Sequence, residues 1–414
     1  MPATPTVLIA GAGVVGLATA ALLATGRCAD RLRVVVLDAR PTPRWRAEDM
    51  DPRVYALSRA SQQLLAHVGV WSEIAKTRAS PYRRMRVWEG VDAHAASALD
   101  FDSAEIGEPD LGHIVEDRLL RTVLADRLAA TREAQLVIGA EIESVATSGA
   151  EVVVALKDGG SVRGTVLLAA DGSESTVRRL LDLPVSGHRY EQTAVVTHVT
   201  STGEHQSTAW QRFMPGGPLA LLPLADGRSS IVWSLPTADA ERLLAASDAE
   251  FLAELSAASA GVIGDLTACS KRVGFPLQAL HAVQYTSTRG ALLGDAAHTV
   301  HPLAGQGMNL GILDAASIAA VAEDALLAGE DIGDLKVLRR YERERKGDNL
   351  AMLAAFDGLN RLFRLPGWAA PWRALGLRAV EATDPVKRLF MQKALGLEAG
   401  RKHRVRWSRA ELQA

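Results

Sequence analysis

From Val7 to Gly26 the chain runs for twenty residues without a charge, VLIAGAGVVGLATAALLATG. Length alone would let such a run cross a bilayer. A secretory signal would carry a positive segment ahead of the apolar stretch, and these residues have none. The glycines at 11, 13 and 16 divide the run differently. Thr6–Ala10 is a short apolar strand, Gly11–Gly16 a turn-rich segment, and Val14–Thr25 a small-residue, helix-compatible stretch. Leu32–Ala39 (LRVVVLDA) then reads as a β-branched strand ending in an acid. Strand, glycine turn, helix and strand make one βαβ unit. A parallel strand buried on both faces is continuously apolar, which accounts for the missing charges.

Further along, Leu120, Leu124 and Leu128 recur at i, i+4 and i+8 within Glu116–Thr131, a helical spacing. Leu136–Thr147 and Glu151–Asp171 read as strand segments, with Asp158-Gly159-Gly160 as a turn. Residues 183–281 change character: Ala194–Thr200, Trp210–Met214 and Ser229–Leu235 alternate, which predicts an inserted antiparallel sheet. Gly290–Gly294 returns to a buried strand, Met308–Leu327 reads as a helix, and the remainder is helical and basic. From Lys387 onward eight Lys/Arg face two Glu. The expected organisation is a discontinuous first domain (1–75, 100–182 and 282–330), a second domain (76–99 and 183–281) and a C-terminal helical region (331–414).

Composition narrows the function classes. The 414 residues carry 46 Lys+Arg against 48 Asp+Glu, a net charge of −2, with 48% hydrophobic and 23% charged residues. That balance gives no electrostatic reason to expect nucleic acid as a partner. Two cysteines, Cys28 and Cys269, cannot build a disulfide framework or a multi-cysteine zinc site, so a reducing, cytoplasmic setting is expected.

Two segments carry chemistry. Gly11-Ala-Gly13-Val-Val-Gly16 matches G-x-G-x-x-G between a strand and a helix. In such a loop Gly11 permits the turn, Gly13 lets a pyrophosphate approach the backbone, and Gly16 lets helix pack on strand. The helix start attracts an anion, and Asp38, 22 residues after Gly16, is placed to accept from a ribose. The second segment is Ala291–Ala316, ALLGDAAHTVHPLAGQGMNLGILDAA. A strand ends at Gly294-Asp295, a loop carries His298, His301 and Pro302, and Gly305-Gln306-Gly307 opens a helix. Its glycines would admit a planar ring, and its helix start favours negative charge such as that of a reduced flavin. Asp295, His298 and His301 could tempt a metal reading, but a proline-containing loop is not a helical ligand face, and no metal is expected.

These segments resemble the class A flavoprotein aromatic hydroxylases and, within them, the ubiquinone-biosynthesis hydroxylase family. Beside Gly11–Gly16 with Asp38, the resemblance is carried by Asp51-Pro-Arg53-Val-Tyr-Ala-Leu57-Ser58, Val115-Glu116-Asp117, Ala170-Asp171-Gly172-Ser-Glu-Ser-Thr-Val-Arg178, and Gly294-Asp295-Ala-Ala-His298 through Asn309-Leu-Gly311. Tyr341-Glu-Arg-Glu-Arg345-Lys-Gly-Asp-Asn349 is similar to the same branch. The resemblance implies an α/β, Rossmann-like FAD-binding domain of the p-hydroxybenzoate hydroxylase type, with an inserted antiparallel-sheet substrate domain and a helical C-terminus. It implies FAD held by Gly11, Gly13 and Gly16 at the pyrophosphate and by Asp38 at the adenosine ribose. Arg53 would reach FAD, Asp171 and Gly172 would touch it, and Asp295 would meet the ribityl–pyrophosphate region. Gly305, Gln306, Gly307, Met308 and Asn309 would line the isoalloxazine. Arg40 and Arg178 read equally as phosphate-side cations or as solvated arginines. Asp117 stands where relatives carry Asn, Gln or Arg, and no contact is transferred to it.

The implied reaction is monooxygenation of a polyprenylated phenol or quinol with O2, through a flavin C4a-hydroperoxide. No second glycine fingerprint marks a nicotinamide domain, so the reductant is either NAD(P)H bound transiently or a protein electron donor. His198, Tyr190, His301 and Tyr285 are candidate bases for phenol ionisation, each set against a packing role. Trp210, Phe213 and Leu221-Leu222-Pro223 are candidates for the substrate wall. Phe363, Trp368, Trp372 and Phe390, mixed with Arg361, Arg364, Arg373, Lys387 and Arg388, read as a helical lid, or as a peripheral contact with the inner face of a membrane or a quinone-synthesis complex. Rival readings are a hydroxylase of a small soluble aromatic and a non-catalytic flavoprotein scaffold.

Overall fold

The computed structural model describes residues 4–41, 43–95, 98–300 and 306–365, together with 373, 383, 387, 391, 395 and 396. His301, Gly305, Trp368, Trp372, Arg388 and Phe390, and the side chains of Gln306 and Arg364, lie outside the described residues.

The described helices are α1 (Val14–Thr25), α2 (Arg59–His67), α3 (Trp71–Arg78), α4 (Asp117–Ala129), α5 (Thr176–Leu180), α6 (Thr237–Ala245), α7 (Asp248–Ser259), α8 (Gln306–Leu327) and α9 (Leu335–Arg364). A six-stranded sheet has the order 286–287, 290–292, 166–169, 6–10, 33–38 and 134–138. Its strands run parallel except for the hairpin at the 286–287 edge. Thr6–Ala10 is the inner strand, and Val7 through Ala10 are at most 1% exposed. Helix α1 packs between this sheet, α4 and α8, and ten of its twelve residues are buried. The uncharged opening run is therefore the centre of a folded core. No helix among the described residues is long and apolar enough to cross a membrane.

The second large sheet has nine strands. Its path is 298–299, 273–282, 185–201, 229–236, 219–223, 208–213, 84–89 and 99–102, with 266–269 also pairing on 185–201. The pairings are antiparallel apart from Thr208–Phe213 beside Arg84–Glu89. The alternation that predicts strands here also carries α6 and α7, which reading the segment as sheet alone does not anticipate. Both helices cover one face of the sheet, where Leu243, Phe251 and Leu255 meet Trp88, Trp210, Leu221 and Trp233. The other face turns toward the first domain, where Phe213 joins Val300, Leu310 and Phe363. The strands Leu99–Asp102 and His298–Thr299 extend this sheet beyond residues 76–99 and 183–281.

Helix α9 lies on α8 and reaches the second sheet, where Phe363 stacks on Phe213 at 3.8 Å between ring centroids, 11° from parallel. Two smaller sheets complete the described fold. One pairs Val54–Leu57, Gly112–Glu116 and Ala79–Tyr82. The other is formed by 142–148, 151–156 and 161–164, so Leu136–Thr147 is split by the positive-φ turn at Gly139.

Candidate active site

The glycine loop follows from backbone sterics. Gly11 has φ +102°, and a Cβ there would come within 2.4 Å of Ala170 O. At Gly16 a Cβ would come within 2.0 Å of Gly11 O, so helix and loop touch only because both positions lack side chains. A Cβ on Gly13 would meet nothing within 4 Å. Gly13 caps α1 without a side-chain hydrogen bond, and no acid stands in the helix's first turn. The uncapped amides therefore face an open approach for an anion. Asp38 Oδ2 accepts from Ala12 N at 2.7 Å and Oδ1 from Arg40 N at 2.9 Å, tying the loop to the end of the second strand.

Around this loop the fold gathers charge from distant segments. Arg121 Nε donates to Ala12 O at 3.2 Å and stands 3.5 Å from Asp117. Asp117 accepts from the Tyr55 hydroxyl at 2.9 Å. The Arg53 guanidinium lies 4.9 Å from the Phe275 ring centroid, and its charge acts on Asp295. Arg53 and Asp295 are solvent-accessible yet surrounded by protein, so they line a recess rather than a convex surface. The enclosure raises the Asp295 carboxyl above its usual range, against the opposing pull of His298 and Arg53.

Other segments hold the recess in shape. Glu116 is buried and accepts from Asp51 N (2.7 Å), Trp45 Nε1 (3.0 Å) and Arg78 (3.2 Å), which fixes the loop before Arg53. Asp171 accepts from Val177 N and the Ser175 hydroxyl, so its carboxylate organises the start of α5, beside Gly172 at φ +88°. Arg178 is not a phosphate-side cation but a buried clamp. It donates to Ala296 O and Ser173 O, both at 2.8 Å, and joins the two loops. Arg40 is exposed. The Asn309 side chain is buried, 2% exposed. It accepts from Ser58 N and Ser61 Oγ and donates to Ala56 O, fastening the start of α8 to the Val54–Leu57 strand and α2. Gly307 and Met308 precede it in the first turn of α8, where a Cβ on Gly307 would stand 3.3 Å from Val300.

Open backbone at Gly13, amides for an anion, Arg53 and Arg121 as cations and Asp38 and Asp295 as hydroxyl acceptors fit the pyrophosphate, ribose and ribityl groups of FAD. The model described as FAD binding domain matches residues 4–353. The chain is 35% identical over 394 residues to 3-demethoxyubiquinol 3-hydroxylase of Escherichia coli (strain K12), covering 94% of this chain and 98% of that one. It is 37% identical over 391 residues to ubiquinone hydroxylase UbiL of Rhodospirillum rubrum, covering 94% and 89%. The chain belongs to the FAD-dependent ubiquinone-biosynthesis hydroxylase family. Among solved structures, PqsL of Pseudomonas aeruginosa, a probable FAD-dependent monooxygenase, aligns with a TM-score of 0.74 and 25% identity, covering 90% of this chain and 99% of that one.

In this hydroxylase three of the side chains proposed as bases, His198, Tyr190 and Tyr285, are occupied elsewhere. His198 is 1% exposed, and its Nε2 pairs with Asp51 O at 2.9 Å, bracing the loop that leads to Arg53. Burial lowers its pKa, outweighing the hydrogen bond to Asp51. Tyr190 donates to Asp357 of α9 at 3.2 Å. Tyr285 is fully buried, 3.0 Å from His281 Nε2 and 3.3 Å from the Asn349 amide that donates to it. The wall residues divide by strand alternation. Phe213 faces the first domain, as does Leu222, which packs near Ala56, Ala209 and Ile114. Trp210 and Leu221 face α6 and α7 instead.

His281 supplies a pH test. Burial, and then the charges of His298 and Lys346, hold its pKa down at about 4. The unfolded chain takes up this proton near pH 6.5, the folded chain only near 4. Stability from this residue is therefore whole above pH 6.5 and is lost as the pH falls toward 4. His281→Gln is expected to flatten the fall in urea midpoint between pH 6.5 and pH 4.5, and an unchanged slope would remove this assignment.

Proposed function

We propose that this chain hydroxylates the aromatic ring of a polyprenylated phenol or quinol in ubiquinone biosynthesis, with O2 as the oxygen source and NAD(P)H or a protein donor as reductant. The observation that carries the reading is similarity across nearly the whole chain to relatives named as ubiquinone hydroxylases, extending through the second sheet. When bound, FAD supplies the redox and oxygen-transfer chemistry. The protein's part is to hold it and to exclude water. Arg53, Asp295 and the α1 amides would hold the polar parts of the cofactor. Phe213, Val300, Leu310 and Phe363, with Met85, Leu99 and Phe101 beside them, form an apolar wall where the second sheet meets α8 and α9. Such a wall favours a greasy substrate and keeps the reacting site dry.

The same reading puts lipid contact at the far end of α9. Leu359, Leu362 and Leu365 are exposed there beside Arg361, a pattern suited to the surface of an anionic bilayer.

The test is oxygen uptake and product mass with FAD-loaded enzyme, reductant, and phenols with and without a prenyl tail, in micelles and in anionic vesicles. Each buried methylene contributes about 0.8 kcal/mol, so a buried five-carbon unit is worth about 4 kcal/mol, and removing one is expected to lower kcat/KM by up to roughly 1,000-fold. Equal turnover of the tail-less phenol would make the protein a hydroxylase of small aromatics. Flavin reduction without hydroxylated product would make it a scaffold. A vesicle advantage abolished by Leu359→Ser with Leu362→Ser supports the lipid-facing reading, and an unchanged advantage refutes it.

A further inference from the structure

The recess explains the charges that face it, but not a second cluster of charge sealed behind it. Asp314 on α8, His298, and Arg345 and Asn349 on α9 are each at most 2% exposed. Asp314 is the hub. Its Oδ2 accepts from His298 Nε2 at 2.5 Å and from Gly294 N at 3.1 Å. Its Oδ1 accepts from Arg345 Nε at 2.8 Å and Asn349 Nδ2 at 3.1 Å. Arg345 donates in turn to Asn349 Oδ1 at 2.9 Å.

Replacing a buried ion cluster of this kind by well-packed apolar side chains is often neutral or stabilising, so stability alone is a weak account of it. Its position gives a better one. Gly294 precedes Asp295, and His298 follows it by three residues, so one carboxylate grips the chain on both sides of a recess acid. Gly294 has φ +54°, a turn conformation that needs external fixing beside the small residues Ala296 and Ala297. Gly311, one turn before Asp314, lies so close that a Cβ there would stand 3.3 Å from Gly294 Cα and 2.6 Å from Val15. The same stretch of α8 thus sets this turn against the start of α1. Burial opposes the charge on Asp314, yet His298 and Arg345 hold its pKa down at about 2.

We propose that Asp314 is a positioning residue for FAD: by gripping Gly294 and His298 it fixes the turn that presents Asp295, with Arg345 and Asn349 of α9 holding the carboxylate in place. Helix α9 thereby acts on the Asp295 turn through Asp314. The proposal rests on FAD lying at the glycine loop and Asp295, and it does not depend on which substrate is hydroxylated.

The experiment compares Asp314→Asn, His298→Ala and His298→Gln with a control on the same helix. Glu323 is also buried and accepts from Arg27 N (2.8 Å) and Nε (3.1 Å), but it sits at the far end of α8. For each protein, FAD is titrated into apo-protein by flavin fluorescence, and the visible circular dichroism of the bound flavin and the thermal midpoint are recorded. Asp314→Asn and His298→Ala are expected to weaken FAD roughly tenfold or more, the weight of one hydrogen bond to a charged group, and to alter the visible spectrum. His298→Gln, which keeps a donor, is expected to recover most of the affinity. Glu323→Gln is expected to lower the thermal midpoint while leaving affinity and spectrum unchanged. If Asp314→Asn does not fold, the His298 pair decides, because it leaves the Arg345–Asp314 pair intact. Lower midpoints with unchanged affinity and spectrum in every variant would overturn the proposal. Failure of the parent protein to bind FAD would instead overturn the cofactor assignment.

Discussion

Gly16→Ala is expected to yield a protein that binds FAD roughly 100-fold more weakly, through about 3 kcal/mol of steric strain at the upper end of ordinary overpacking. Helix propensity argues the other way, since alanine stabilises a helix interior by about 1 kcal/mol relative to glycine. The deciding fact is the 2.0 Å approach of the new Cβ to Gly11 O, a backbone atom that cannot rotate away. Relief requires α1 to move off the loop, which carries the first-turn amides out of line. Gly13→Ala makes the control, because nothing in the protein stands within 4 Å of that Cβ. Its apo-protein should melt like the parent while its FAD affinity falls, whereas Gly16→Ala should lose both. Isothermal titration of FAD with thermal melts of the apo-proteins reads the two effects separately. Parent-like affinity in Gly16→Ala would mean that the loop does not hold the cofactor as described.

Trp210→Ala is expected to cost about 3–5 kcal/mol of stability, the range for emptying a large buried aromatic, and to leave KM for the aromatic substrate unchanged. Trp210 is 9% exposed, meets Trp88 edge-on at 6.0 Å, and belongs to the cluster beneath α6 and α7. Its indole Nε1 has no hydrogen-bond partner among the described residues, so truncation leaves no polar group stranded. The loss should be pure packing. Urea unfolding measures the first part and steady-state kinetics at a permissive temperature the second. A raised KM at near-parent stability would put Trp210 on the substrate side of the sheet.

These two residues mark the difference between what is local in the chain and what is not. Gly11, Gly13 and Gly16 act within one turn, and the strands on either side are apolar because both of their faces are covered. The cofactor loop, its helix and Asp38 were therefore legible from spacing. Trp210 and Phe213 are separated by three positions in one strand, and alternation says only that they point to opposite faces. Which face meets α6 and α7 and which meets the recess depends on how the sheet docks. His198, Tyr190 and Tyr285 had the chemistry of bases in sequence, but their partners Asp51, Asp357 and His281 become visible only once the chain is folded. Arg121 was missed for the same reason, since its partner Ala12 is 109 positions away.

The sequence by itself determined the family, the βαβ unit with its glycine loop, and the reading of the uncharged run from Val7 to Gly26 as buried core. Those properties are written in neighbouring residues, through glycine sterics and the covering of parallel strands. Only the tertiary structure decided that Asn309, Arg178 and His198 brace the site from behind, and that Asp314 joins two helices to the Asp295 turn. Hydrogen bonds bridging 16, 31 and 35 positions draw that hub together. A hydrogen bond needs atoms within about 3 Å in a fixed direction, and chain spacing specifies neither across separate elements.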